Sequence, residues 1–234
     1  MRAWLLAACF GLAANAAQFE RADRQFLDGL LARRLFSMAE LECRQKLQDG
    51  TLSDTARVEW VIELMRTRSE RAAHAATANR AAHWQAAHDA AREFLERYPE
   101  ARRRVLVEVQ DALTSLAEGE LARMEADVAA QPEAARERAL TTIREAAREL
   151  ERLDKTLIEQ ITRGGGRDAD DGALTTDELF SLQNNVRFQL ARAYRNRALC
   201  YLPKSDDRVA ALSMAVEQLH RTLSQLRADD PLAR

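Results

Sequence analysis

Side chains able to do chemistry are few in this sequence, and their spacing suits little of it. The histidines are His74, His83, His88 and His220. His83 and His88 stand five apart, whereas two metal ligands on one helix face need a spacing of four. Neither H-E-x-x-H nor C-x-x-C occurs. RDADDG (167–172) has the acidic density of a calcium loop. Setting Gly172 and Glu178 at the sixth and twelfth loop positions, however, puts Arg167 and Ala169 where the first acidic ligands belong. RGGGR (163–167) lacks the G-K-S/T and the preceding strand of a phosphate loop. No G-x-S-x-G elbow is present. The many glutamates read as solvated helix faces. The expectation is a non-enzymatic chain with no catalytic residue, no cofactor and no metal.

Functional groups concentrate in one place, LQNNVRFQLARAYRNRALCYL (182–202). Asn is a poor helix former, yet three occur in this helical pattern. Asn185, Gln189, Arg192 and Asn196 fall on one stripe at steps of four, three and four, flanked by Asn184, Tyr194 and Arg195. Amide and guanidinium donors in a row suit the polar groups of an extended peptide. The same stripe would equally serve to hydrogen-bond a neighbouring hairpin or the 163–172 linker. Both readings stand at the level of sequence.

The rest of the chain is built to position such a helix. Its 234 residues are rich in Ala, Leu, Glu and Arg and hold only 8 Gly and 4 Pro, which points to an all-α fold. The charges balance, 35 basic against 37 acidic, which argues against a nucleic-acid partner. Apolar residues recur at helical spacing in eight segments that pair as hairpins at about 19–48, 54–97, 101–163 and 176–228. Ser53 is placed to cap the third segment, and the pattern weakens around HAATAN, with a break expected at Asn79. Leu106, Val109, Leu113 and Leu116 lead into Leu121, Met124 and Val128, with Gly119 as a soft point. Pro132 suits a helix's first turn. Leu140, Ile143, Ala147, Leu150, Leu157 and Ile161 follow, with one step spoiled by Asp154. RGGGRDADDG marks a flexible linker, 163–174. Thr175 and Glu178 form a capping box. The last segment carries Ala210, Met214, Leu219, Leu223 and Leu226. No single hairpin buries its apolar face alone, so the hairpins must stack.

AREFLERYPEARRR (91–104) stops one helix at Pro99 and starts another. Trp84, Ala87, Ala91, Phe94, Leu95 and Pro99 follow the order of an aromatic, small residues, apolar positions and a terminal Pro. This stretch resembles the second helix of a tetratricopeptide repeat (TPR), a family with a period of about 34 residues. FLERYPEA also looks like the repeat ends of bacterial envelope TPR proteins. Phe36, Ala39, Cys43 and Leu47 occupy the same second-helix places more weakly. Phe26, Leu27 and Leu30 stand where the family has Leu, Gly and Tyr. From 101 onward only the architecture is similar. The resemblance implies antiparallel hairpins stacked as a right-handed α-α superhelix (solenoid). It also implies a scaffold that binds a protein or peptide in a groove lined by first helices. The competing expectation is a helical spacer or oligomerisation element, supported by the four-three alternation in 140–161.

Arg2, AWLLAACFGLAA and the small residues Ala14 and Ala16 form a signal-peptide pattern over 1–16, so the expectation is export, periplasmic or extracellular. LAAC, ending at Cys9, gives a lipoprotein alternative. No membrane span is expected in the mature chain, 17–234. Cys43 and Cys200 then remain, as free thiols or as a disulfide. The closing DDPLAR resembles the start of another helix, which implies further repeats beyond Arg234 or a docked partner.

Overall fold

The computed structural model describes residues 19–163 and 172–225. The expected leader with Cys9, the linker stretch 164–171, Leu226 and DDPLAR lie outside them. Every regular element among the described residues is an α-helix: α1 (Arg21–Ala32), α2 (Phe36–Leu47), α3 (Asp54–His74), α4 (Thr77–Arg97), α5 (Arg104–Ala126), α6 (Pro132–Thr162), α7 (Thr176–Cys200) and α8 (Asp206–Gln225). Each packs on the next in sequence, and α1 also touches α3, α3 touches α5, and α5 touches α7. The first helices of successive hairpins therefore meet one another.

The helix ends follow from local chemistry. Ser53 Oγ accepts from the Ala56 N–H at 3.2 Å, satisfying a donor with no partner inside the helix. Thr175 Oγ1 accepts from the Glu178 N–H at 3.2 Å while Glu178 Oε2 accepts from the Thr175 N–H at 2.7 Å. Pro132 opens α6, where its missing N–H costs nothing. The α3–α4 break falls at Ala75 and Ala76, not at Asn79, which lies inside α4. Arg80 explains the shift. Its guanidinium donates to the Ala72 and Ala75 carbonyls at 3.2 and 3.1 Å, closing the end of α3, and it also pairs with Glu125 of α5.

The repeat-like positions lie inside. Trp84, Ala87, Ala91 and Phe94 are buried, as are Ala39 and Cys43; Phe36, Leu47 and Leu95 are half-buried and Pro99 is exposed in the turn. Leu27 and Leu30 are buried but Phe26 is exposed. Gly119 does not soften α5. A Cβ there would lie 2.7 Å from Ile143 Cγ1 and 3.2 Å from the Ile143 nitrogen, so its bare Cα lets α5 and α6 approach.

Periodicity misled in two places. Met124 is exposed, and Val128, 86% exposed, sits in the turn after α5. On α8, Ala210, Leu219 and Leu223 are exposed and Met214 is half-buried. The buried residues there are Ala211, Ala215, Gln218 and Thr222. Among the described residues α8 packs on α7, which covers only one of its two faces.

Candidate interaction site

α7 crosses the centre of the second half of the chain, packed on α5, α6 and α8. Its polar residues divide between those surroundings. Arg192 pairs with Glu120 of α5, and Asn196 Nδ2 donates to the same carboxylate at 2.7 Å and to the Arg192 carbonyl at 3.0 Å. Gln189 Oε1 accepts from Arg192 at 3.3 Å. Gln189 and Asn196 are 3% and 4% exposed, so most of the expected stripe is spent on holding α7 to α5. Burial pushes the Glu120 carboxyl above its ordinary range, opposed by Arg192's hydrogen bond and charge. Asn185 of the stripe is half-buried and the flanking Arg195 is exposed; these two reach the surface.

The flanking residues turn inward. The Tyr194 hydroxyl donates to Glu151 of α6, and burial together with that carboxylate raises its phenol. Asn184 is buried, its Oδ1 without a hydrogen-bond partner among the described residues.

Sequence reasoning passed over a buried ion pair on α7. Asp154 of α6 accepts from Arg187 Nε at 2.8 Å and from Gln183 Nε2 at 3.2 Å, with all three residues buried. The signal was present. Asp154 interrupts an apolar series, and Gln183 and Arg187 stand four apart on the facing helix.

Two further clusters lie in the first half. Glu59 and Glu63 of α3 are buried beside Arg24 of α1, at 3.0 and 3.6 Å, and Arg66 also contacts Glu63. Burial raises both carboxyls. It also drives the Cys43 thiol up to about 12, with Glu63's charge adding to it. Cys43 and Cys200 are free thiols. Glu40 behaves oppositely: burial alone would raise it, but the Arg68 hydrogen bond and the charges of Arg68, Arg44 and Arg71 hold it low.

An open groove of about 610 Å³ between α4 and α5 is lined by Gln85, His88, Arg92, Leu95, Glu96 and Asp111. His88 Nδ1 lies 2.6 Å from Asp111 Oδ1, and its Nε2 lies 3.9 Å from Glu118. The hydrogen bond to Asp111 and the nearby Glu118 carboxylate raise the imidazole to about 9, so near neutral pH it is a cation already matched by carboxylates. No group of three or more His, Cys, Asp or Glu among the described residues is placed to hold a metal ion.

These shifts set a pH dependence. A folded-state pKa above the unfolded one means the folded chain holds that proton more tightly. His88's contribution is therefore complete below its ordinary 6.5 and is lost as pH rises through about 9. The raised carboxyls Glu59, Glu63 and Glu120 act in the same direction at lower pH. Glu40 acts oppositely, its contribution lost only as pH falls through its lowered pKa. Below the range in which the raised Cys43 thiol acts, Tm is expected to fall between about pH 6.5 and about pH 8.5 by ~2–4 °C, which corresponds to roughly 1 kcal/mol in a chain of this size once solvent screening of the part-exposed pair is allowed for. His88→Gln should remove most of that fall in scanning calorimetry; an unchanged slope would show that His88 does not govern it.

A search of protein-family models found no match to this chain, and comparisons with curated proteins and with solved structures found none either. Among the described residues, no helix is long and apolar enough to cross a membrane.

Proposed function

We propose that this chain is an exported, non-enzymatic TPR-like scaffold whose stacked hairpins bind another protein or an extended peptide. The observation that supports it most is the contact pattern, in which α1, α3, α5 and α7 meet in succession while each is joined to its hairpin partner. Hairpins stacked in an α-α superhelix have this pattern, each burying a face only against its neighbours. Burial of Trp84, Ala87, Ala91 and Phe94 at the repeat-like positions supports the same reading. Such arrays bind through side-chain rows on one layer. Here Asn185 and Arg195 are the surface members of that row, and Gln189, Arg192 and Asn196 fix the helix that carries them. The signal pattern at 1–16 supports export.

The test is capture from cell-envelope extract with the full chain, compared with Asn185→Ala/Arg195→Glu. A partner held by the wild type and lost by a variant of equal Tm supports the scaffold and its surface. Identical recovery by both removes the α7 row from the reading. The absence of any partner turns the reading toward a helical spacer.

A further inference from the structure

The seam between α5 and α7 is short of negative charge and of acceptors. Arg192 pairs with Glu120, Asn196 donates to the same carboxylate at 2.7 Å, and the charges of Arg123 and Arg195 also act on it. Arg123 further meets Asp127 at 3.9 Å, which Arg136 shares at 3.2 Å. Four guanidiniums thus gather on two carboxylates. The Arg123 Nε is buried with no acceptor among the described residues. Arg195 is exposed, and its guanidinium makes no hydrogen bond or ion pair among them. Asn185, Phe188, Arg192 and Arg195 stand at steps of three, four and three, which sets them on one face of α7. Phe188 is 45% exposed. Along about 15 Å of helix this face offers an amide, an aromatic ring and two guanidiniums. About five residues of extended chain span that length.

We propose that this face binds an extended segment of a partner protein in which acidic side chains stand beside an apolar one, the carboxylates at Arg192 and Arg195 and the apolar residue on Phe188. The inference rests on the α7 row of the proposed function and gives its partner a chemistry. A guanidinium takes a carboxylate through two parallel N–H donors. Glu120 and Gln189 hold Arg192 in place before any ligand arrives, which lowers the cost of ordering it. Phe188 lies four residues before Arg192, about 6 Å of rise, close to the distance between alternate side chains of an extended peptide. The chain as a whole has a formal net charge of −2, so the positive excess belongs to this seam and not to a broad field of the kind that draws in a nucleic acid.

The test is fluorescence anisotropy of the full chain with a dye-labelled peptide, amidated at its C-terminus, that carries glutamates two and three residues beyond a leucine. The same peptide with glutamines is the control. The wild type is expected to bind the glutamate peptide about fivefold more tightly at low salt. That preference should fade near about 0.5 M salt. Arg195→Glu should abolish it while leaving the glutamine peptide's binding unchanged. Asp127→Asn removes an exposed acid from Arg123 and Arg136, and should tighten the glutamate peptide by about twofold. A cluster that only holds helices together would give no such gain. Equal binding of the two peptides by the wild type overturns the proposal. If the preference then emerges on changing Asp168, Asp170, Asp171, Asp229 and Asp230 to Asn, the occupant is the chain's own acidic sequence and not a partner. A preference kept by Arg195→Glu overturns the site, and tighter binding of a single-stranded oligonucleotide overturns the ligand class. A chain that captures an envelope partner through the row yet shows no glutamate preference keeps the scaffold and loses this inference. The preference without an envelope partner does the reverse.

Discussion

Asp154→Ala is expected to lower the free energy of unfolding by about 3–5 kcal/mol, the cost of breaking a buried ion pair from one side. Asp154 and Arg187 have side chains 12% and 7% exposed, and they meet at 2.8 Å between α6 and α7. Removing the carboxylate takes a negative charge and a hydrogen-bond acceptor away from a buried guanidinium. The donor on Gln183 Nε2 loses its acceptor as well. The pair itself need not be strongly stabilising, since bringing both charges out of water offsets most of their attraction. Asp154→Leu with Arg187→Met is therefore expected to lie within about 1.5 kcal/mol of wild type, on either side. Urea unfolding followed by circular dichroism separates the cases. A single variant that loses less than about 1 kcal/mol would mean the site is wet and the pair behaves as a surface one.

Much of the architecture was legible because each hairpin announces its ends locally. Ser53, Thr175 with Glu178, and Pro132 each specify a helix start by chemistry that acts within a few residues. The α3–α4 break was misplaced because it is set from a distance, by Arg80 reaching back to two carbonyls and across to Glu125. The α7 stripe was visible as a row of polar types, but its surroundings were not. Glu120, which receives Arg192 and Asn196, lies 72 and 76 residues earlier, and nothing local marks it among so many glutamates. α8 shows the converse difficulty. Its two apolar faces look alike in sequence, and only the position of α7 decides that Ala211 and Ala215 are covered while Val216 and Leu219 are not.

A common device emerges from Glu120, Asp154 and Glu63. Each is a mostly buried carboxylate on one helix that receives an arginine from another: Arg192 of α7, Arg187 of α7 and Arg24 of α1. In a core dominated by Ala and Leu, many sliding registers bury similar apolar area. A charge that must meet its partner admits one register, so these pairs specify how helices align more than they add stability. Arginine suits the task because its planar fork reaches a second acceptor without moving, as Arg66 does in contacting both Glu63 and Asp28.

Gly119 supplies the closest approach between α5 and α6, and its replacement is the second large effect expected. In an exposed helix Gly→Ala stabilises by about 1 kcal/mol. Here the added methyl would sit 2.7 Å from Ile143 Cγ1 and 3.2 Å from the Ile143 backbone nitrogen. A rotamer change can move Cγ1, but only separating the helices moves the nitrogen. Overpacking of that kind costs about 1–3 kcal/mol, so the propensity gain is outweighed and Gly119→Ala should destabilise by roughly 1 kcal/mol. Gly119→Val adds a branch where no space exists and should cost more, about 3 kcal/mol. Pairing Gly119→Ala with Ile143→Ala tests the cause. Shortening Ile143 removes Cγ1 while leaving the nitrogen, so part of the clash is relieved, with a coupling of about 0.5–3 kcal/mol. Strict additivity would place the strain elsewhere. A Gly119→Ala protein more stable than wild type would mean that α5 and α6 lie farther apart than this contact requires.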